Sequence, residues 1–119
     1  MNMIVCVKQA IDPEAPPASF KIDSTKNTVT LPPSVSPVID PYSEYAVEAA
    51  LRIKDAQGGK ITVISLGTNL LPDVVKKPLS MGADELILLE DEAFAGVMIL
   101  GEVKEGKQTP SRLISTFYF

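Results

Sequence analysis

Few kinds of side chain in this sequence are able to do chemistry. The 119 residues include one cysteine, Cys6, and no histidine. Without histidine the usual zinc and non-haem iron ligand sets cannot be assembled, and neither can Ser-His-Asp or Cys-His catalytic groups. One cysteine forms no disulfide within the chain, so a reducing, cytoplasmic setting is expected. Any chemistry here would need carboxylates, lysines or a bound cofactor.

Several polar positions flank the apolar runs of the sequence and are candidates for ligand binding. Lys8 closes the first run, where it could face a phosphate or simply be solvated. Asp40 stands at a helix start, where capping is a simpler role than binding a ribose. Leu66-Gly67-Thr68-Asn69 follows the second run and could hold a nucleotide or be a plain turn. Residues 90–92 are all acidic but adjacent, so they cannot converge on one metal ion and indicate a solvated loop.

Length and charge exclude further classes of function. Eleven basic residues against fifteen acidic ones give a net charge of −4. No cluster of lysine and arginine is present to bind nucleic-acid phosphates, so no nucleic-acid partner is expected. No stretch reaches the roughly 18 apolar residues of a membrane span, so we expect a soluble protein without membrane insertion. The chain has room for one domain.

The elements that would position the candidate residues alternate between strands and helices. Continuous apolar runs predict strands buried on both faces, and Asp40-Pro41 predicts a helix start. Pro78 should kink or shorten the second helix, because it has no N–H to bond to the carbonyl of Val74. The predicted elements are a strand at Met3–Val7, a helix at Asp40–Ala56, a strand at Lys60–Leu66, a helix at Leu70–Met81 and a strand at Glu85–Glu90.

This order predicts an α/β fold made of two consecutive βαβ units, half of a doubly wound parallel sheet. Right-handed crossovers in one direction place both helices on one face and leave the other face bare. The segment after Glu90 has no strong helix signal. The tail therefore folds back as strands, or a partner chain completes the core, or the chain is a piece of a longer protein. In the proline-rich loop from Ile11 to Pro41, alternation in Ser19–Asp23 and Thr28–Leu31 predicts a small hairpin.

Four segments make the sequence similar to the N-terminal part of the β subunit of electron transfer flavoproteins, the family that includes the FixA-type proteins. They are the opening Ile4–Asp12, the block Ile39–Arg52, the strand end Val63–Gly67 and Met81-Gly82-Ala83-Asp84 before the third strand. Each segment alone is a weak signal, but their order and spacing are specific. The resemblance covers roughly residues 1–96.

The resemblance implies an adenine-nucleotide α-hydrolase-like (Rossmann-like) domain. In the family, this domain pairs with an α subunit to form a heterodimeric electron carrier, which takes electrons from acyl-CoA or related dehydrogenases. The carrier holds FAD between its subunits, and the β subunit binds AMP or, in the bifurcating branch, a second FAD. The β subunit would then be an electron-carrier subunit and not an enzyme in its own right.

The resemblance also implies where cofactor contacts fall, at the carboxyl ends of the strands and at a helix start. The family usually carries asparagine where this chain has a carboxylate, which repels a phosphate, and the family's phosphate loop has no match after residue 96. The positions implied are Cys6, Asp40, Pro41, Tyr42, Ser43 and Leu66, with Lys8 and Gly67 beside them.

Three other interpretations have different consequences. A non-redox nucleotide-binding module resembling the universal stress proteins would need a glycine-rich phosphate loop, which the sequence lacks. An ATP-pyrophosphatase-type enzyme would need a Ser-Gly-Gly loop where the chain has Lys8-Gln9-Ala10-Ile11. A truncated, non-functional or partner-dependent remnant is the third. We expect residues 1–96 to form a partial nucleotide-binding domain and residues 97–119 an unassigned tail, and FAD binding by the chain alone to be weak or absent.

Overall fold

The structure is a computed structural model that describes residues 1–26, 28–30, 32–94 and 111–114. Its main element is a parallel sheet with the strand order β7-β6-β1-β8. These strands are β1 (Asn2–Val7), β6 (Lys60–Gly67), β7 (Glu85–Glu90) and β8 (Ser111–Ile114). The helices are α1 (Pro41–Gln57), α2 (Pro72–Val75) and α3 (Lys77–Met81). The predicted α/β class and the three predicted strands are confirmed.

One face of the sheet packs against α1. Along β1 and β6 every second residue is fully buried, because alternate side chains of a strand point to opposite faces. Val74 of α2 and Met81 of α3 pack against the same core, so α1, α2 and α3 lie on one face as the crossover rule predicts. The buried residues of this layer are Met3, Val5, Val7, Ile61 and Val63 from the sheet, and Ala46, Val47 and Ala50 from α1.

The opposite face, which we call the open face, is only half covered. The sequence predicted strands buried on both faces, and this is wrong for the described residues. Ile87 and Leu89 of β7 are 40% and 43% exposed, whereas Cys6 and Ile64 are half-buried. The strand β8 pairs with β1 at the edge of the sheet, so it adds a strand to the sheet and does not cover the open face. The remainder of the tail, 95–110 and 115–119, lies outside the described residues.

Local chemistry determines both ends of α1. The carboxylate of Asp40 accepts the backbone N–H of Ser43 at 2.9 Å, and Pro41 occupies the first helical position. The helix ends at Gly58, which has a left-handed φ of 69°. Gly59 follows with φ 117°, and a Cβ on it would overlap the carbonyl oxygen of Met1. That oxygen accepts the N–H of Lys60 at 3.0 Å, so the approach begins the pairing of β1 with β6.

The second predicted helix is interrupted, as the position of proline predicts. It begins at Pro72, two residues after the predicted start, because the fixed φ of proline suits the first helical position. It breaks at Lys76 into α2 and α3, and Pro78 lies buried in the first turn of α3. The second segment ends at Gly82, with φ 124°.

The long loop between β1 and α1 contains two antiparallel pairs. The predicted hairpin is present as β3 (Lys21–Asp23) paired with β4 (Thr28–Thr30). The second pair, β2 (Gln9–Ile11) with β5 (Pro37–Ile39), was not predicted. It brings the residue before α1 back to the end of β1.

Candidate functional site

The candidate residues lie at the carboxyl ends of β1 and β6. The chain passes from β1 to β6 on one side, while β8 lies on the other side of β1. A sheet whose strand order reverses in this way has a crevice outside the carboxyl ends of its strands, which is where open α/β sheets bind ligands. In this sheet that position lies beyond Val7 and Ser65, which are in register.

The start of α1 is bonded directly to the end of β1. The backbone N–H of Lys8 donates to Oγ of Ser43 at 3.2 Å, and the N–H of Asp40 donates to the carbonyl oxygen of Lys8 at 3.0 Å. The hydroxyl of Ser43 donates in turn to Oδ2 of Asp40 at 3.2 Å. Asp40 and Ser43 are buried. The structure thus joins three of the predicted site residues in one polar cluster.

The carboxylate of Asp40 changes what this helix start can bind. The carboxylate accepts the N–H of Ser43, and the backbone carbonyl oxygen of Asp40 accepts the N–H of Glu44 at 3.2 Å. Pro41 has no N–H to offer. Helix starts attract anions through unpaired N–H groups and a positive dipole end, and here the Asp40 carboxylate already accepts the Ser43 N–H at that end. The hydroxyl and amine groups of a nucleoside suit such a position better than a phosphate does.

Two tyrosines lie beside this cluster on the first turns of α1. Tyr42 and Tyr45 are exposed, and their rings meet edge to face with centroids 6.1 Å apart. The side chain of Glu44, between them in sequence, forms an ion pair with Lys77 of α3. The predicted contact at Tyr42 is therefore placed at the rim of the site.

Leu66 and Gly67 end β6 and lead into residues 67–71, which we call the β6 loop. Gly67 packs closely, since a Cβ on it would lie 3.1 Å from Cδ2 of the buried Leu70. The backbone N–H of Leu70 donates to Oε1 of Glu90 at 3.0 Å. The N–H of Asp91 donates to the carbonyl oxygen of Gly67 at 3.3 Å. The end of β7 thus holds one side of the loop.

Gln9 holds the other side of the β6 loop and was missed by sequence reasoning. Its Nε2 donates to the carbonyl oxygen of Asn69 at 3.2 Å, and its Oε1 accepts the N–H of Leu71 at 2.8 Å. The same reasoning placed Glu90 at the end of the third strand and in a solvated acidic run, and gave it no role in the site. The available signal was position, because each residue is polar and lies at the carboxyl end of an apolar strand run. No group of acidic, cysteine or histidine side chains suited to a metal ion occurs among the described residues.

Cys6 lies one residue before the end of β1, and its side chain belongs to the open face. Burial raises the pKa of the thiol, so the neutral form dominates at pH 7. A neutral, half-buried thiol is a poor nucleophile, which favours packing or backbone contact over covalent chemistry.

Ser65 is fully buried, and its hydroxyl has no hydrogen-bond partner within the described part of the chain. A buried polar atom of this kind is ordinarily satisfied by water or a ligand. The carboxyl end of β6 therefore has spare hydrogen-bonding capacity one residue before Leu66. This observation fits a polar ligand at the crevice.

Comparison with known proteins identifies the family. The family model for the electron transfer flavoprotein domain matches residues 34–104, and the chain belongs to this family. Protein FixA of Azotobacter vinelandii is 40% identical over 96 residues, which cover 81% of this chain and 32% of the relative. The electron transfer flavoprotein subunit beta of Clostridium acetobutylicum is 41% identical over 96 residues, with 81% and 35% covered. The chain thus spans about a third of the length of these relatives.

The comparisons confirm the resemblance read from the sequence and do not favour a universal-stress-protein-like module. They concern the family and leave the assignment of individual contact residues, and the division at residue 96, as predictions. Within the part of the chain that the structure describes, no helix combines the length and apolar character needed to span a bilayer.

Proposed function

We propose that this chain supplies a nucleotide-binding half-domain to an electron transfer flavoprotein of the β-subunit type. It would act as part of an electron carrier and not as a catalyst. The observation that carries the proposal is the joining of the α1 start to the end of β1, beside the β6 loop, in a chain of this family. Relatives that share this segment are named as electron transfer flavoprotein β subunits and FixA proteins.

The proposed ligand is the adenosine part of AMP or FAD. The backbones of Cys6 and Leu66 lie at the ends of adjacent strands and would line the adenine. The polar cluster of Asp40 and Ser43 would face the sugar. The hydroxyl of Ser65, one residue before Leu66, has no partner among the described residues and is left for a water or a polar group of the ligand. A flavin, when bound in the assembled carrier, supplies the redox chemistry.

The proposed partner is an electron transfer flavoprotein α subunit, and the proposed electron donors are acyl-CoA or related dehydrogenases. The α subunit is supported by family membership and by relatives named as β subunits. The dehydrogenases are proposed from what the resemblance to the family implies. The cytoplasmic location inferred from cysteine content stays a prediction.

The test is a titration of the purified 119-residue chain with AMP, followed by calorimetry and by ¹H–¹⁵N NMR. A parallel sample contains an electron transfer flavoprotein α subunit. Binding of AMP, with shifts at Cys6, Ser43 and Leu66, supports the proposal for the chain alone. A stable complex with the α subunit that then binds AMP supports a partner-completed site. GMP serves as the control, because a site for adenine should discriminate against guanine. The proposal would be contradicted if no sample showed AMP binding and no complex formed with the α subunit.

A further inference from the structure

Gln9 makes a bidentate contact across the crest of the β6 loop. One end of its side-chain amide donates to the carbonyl oxygen of Asn69, at 3.2 Å, and the other end accepts from the N–H of Leu71, at 2.8 Å. The residues in contact are 60 and 62 positions apart in sequence. Because the amide is planar and uses both ends, it fixes the orientation of the loop as well as its distance from β1.

The loop needs such a restraint. Asn69 has a φ of 53°, a left-handed conformation that a residue with a side chain adopts at some cost. Leu70, one residue later, is buried and packs against the position that a Cβ would take on Gly67. A change in the crest would therefore be transmitted to Gly67, the residue that follows the proposed contact at Leu66.

Gln9 also adjoins the other half of the site. The preceding residue, Lys8, is bonded through its backbone to Ser43 and to Asp40. Gln9 itself pairs with Ile39, directly before Asp40. One residue thus joins the α1 start, the end of β1 and the β6 loop.

From these contacts we propose that Gln9 is a positioning residue for nucleotide binding, which holds the β6 loop in the conformation that receives the ligand. The inference rests on the proposed function. Its side chain does not touch the nucleotide, and its effect is on the fraction of molecules with the loop in place. Apparent affinity falls in proportion to that fraction.

The experiment compares the wild-type chain with Gln9→Met, which keeps the size of the side chain and removes both hydrogen bonds. Gln57→Met is the matched control, because Gln57 is an exposed residue at the end of α1. Loss of two hydrogen bonds should weaken AMP binding about tenfold in Gln9→Met. The N–H of Leu70, whose bond to Glu90 the variant keeps, should exchange faster with solvent in Gln9→Met, and saturating AMP should restore its protection. The free energy of unfolding should fall by an amount comparable to the tenfold loss of the closed loop, about 1.4 kcal/mol.

Each result bears on the inference in a defined way. Wild-type affinity in Gln9→Met would overturn the positioning role and leave the proposed function intact. A fall in the free energy of unfolding much larger than the loss of AMP affinity, with no recovery of Leu70 protection at saturating AMP, would show a structural role and would also overturn it. If the wild-type chain binds no AMP, alone or with an α subunit, the proposed function and this inference are both overturned.

Discussion

At the scale of single residues, the Asp40 carboxylate caps the start of α1 and bears on which part of a nucleotide the proposed site would accept. A capping carboxylate and an incoming phosphate compete for the same backbone N–H groups and the same dipole end. In this chain the carboxylate occupies them, through Ser43 and its hydroxyl. A neutral cap of equal size would leave the helix intact and remove the repulsion.

We expect the wild-type chain to bind adenosine and AMP with similar affinity. In Asp40→Asn the amide oxygen still accepts from Ser43, so the cap is kept at a cost of about 1 kcal/mol or less. The affinity for AMP should then rise severalfold relative to adenosine, because one unfavourable charge is removed. Parallel calorimetric titrations of both ligands measure this ratio.

The control for this comparison is the unfolding free energy, which should change little in Asp40→Asn. A wild-type chain that binds AMP much more tightly than adenosine would contradict the role given to the carboxylate. The role would also be contradicted if the ratio of AMP affinity to adenosine affinity were the same in the wild type and in Asp40→Asn.

At the scale of elements, Asp84 joins three of them at the opposite end of the sheet. Its carboxylate accepts the N–H of Ile61 at 2.7 Å and binds Nζ of Lys54 at 2.7 Å. Its own N–H donates to the carbonyl oxygen of Ile61 at 3.0 Å. The same lysine reaches the carbonyl oxygen of Gly82 at 3.2 Å. Asp84 thus ties α1, the start of β6 and the turn before β7.

These bonds predict a pH dependence. The hydrogen bond from Lys54, followed by that from Ile61, lowers the pKa of Asp84. A carboxyl with a pKa lower in the folded than in the unfolded chain stabilises the fold above the unfolded value of about 4. That contribution is lost as the pH falls from about 4 toward the folded pKa. Asp84→Asn should therefore unfold at lower urea concentration than wild type at pH 7, and the gap should narrow below pH 4.

Urea titrations of both chains between pH 7 and pH 3 measure this gap. The wild type should still lose stability in acid, since the pKa values of Asp23, Asp73 and Glu85 are lowered by their own hydrogen bonds. If the difference in urea midpoint between wild type and Asp84→Asn stayed constant from pH 7 to pH 3, the stabilisation by Asp84 would not depend on its charge.

The junction between α1 and β6 offers a matched pair of glycine substitutions. Both glycines have positive φ, but a Cβ on Gly58 meets nothing within 4 Å, whereas one on Gly59 overlaps the carbonyl oxygen of Met1. Gly58→Ala should cost about 1–3 kcal/mol, from backbone strain alone, since its φ of 69° with ψ of −175° is a conformation nearly restricted to glycine. Gly59→Ala should cost clearly more, because the first contact of β1 with β6 must shift. Urea unfolding of the two variants measures the difference, and equal costs would contradict this geometry.

How far the sequence predicts the structure depends on how local the cause is. The start of α1 and the interruption of the second helix near Pro78 follow from chemistry within a few residues, and both predictions are confirmed. The pairing of β2 with β5 joins short segments across a long loop, with no periodic signal to reveal it. The Gln9 contacts depend on that pairing, so the two hydrogen bonds from Gln9 to the β6 loop could not be predicted. The residues of the site were found by family resemblance and strand ends, whereas their hydrogen bonds required the fold.

At the scale of the whole molecule, the described chain has one covered face and one open face. The crossover rule explains this, because α1, α2 and α3 all lie on the side of the first two crossovers. Half-buried apolar residues such as Ile64 then remain on the other side. The site lies at the edge where these two faces meet, at the ends of β1 and β6. The proposed function requires this site to hold only one end of a ligand.

A half-site of this kind should discriminate by ligand size and by partner. We expect the chain alone to retain no FAD through purification, because its described contacts serve the adenosine end, and the flavin end needs surface from elsewhere. Mixed with an electron transfer flavoprotein α subunit and FAD, it should elute as a complex that carries flavin absorbance. Size-exclusion chromatography with detection of flavin and protein measures the ratio in both samples, and the α subunit with FAD alone is the control. Stoichiometric flavin on the isolated chain would show that the described half-site is sufficient to bind FAD. It would contradict the expectation that a partner subunit completes the site.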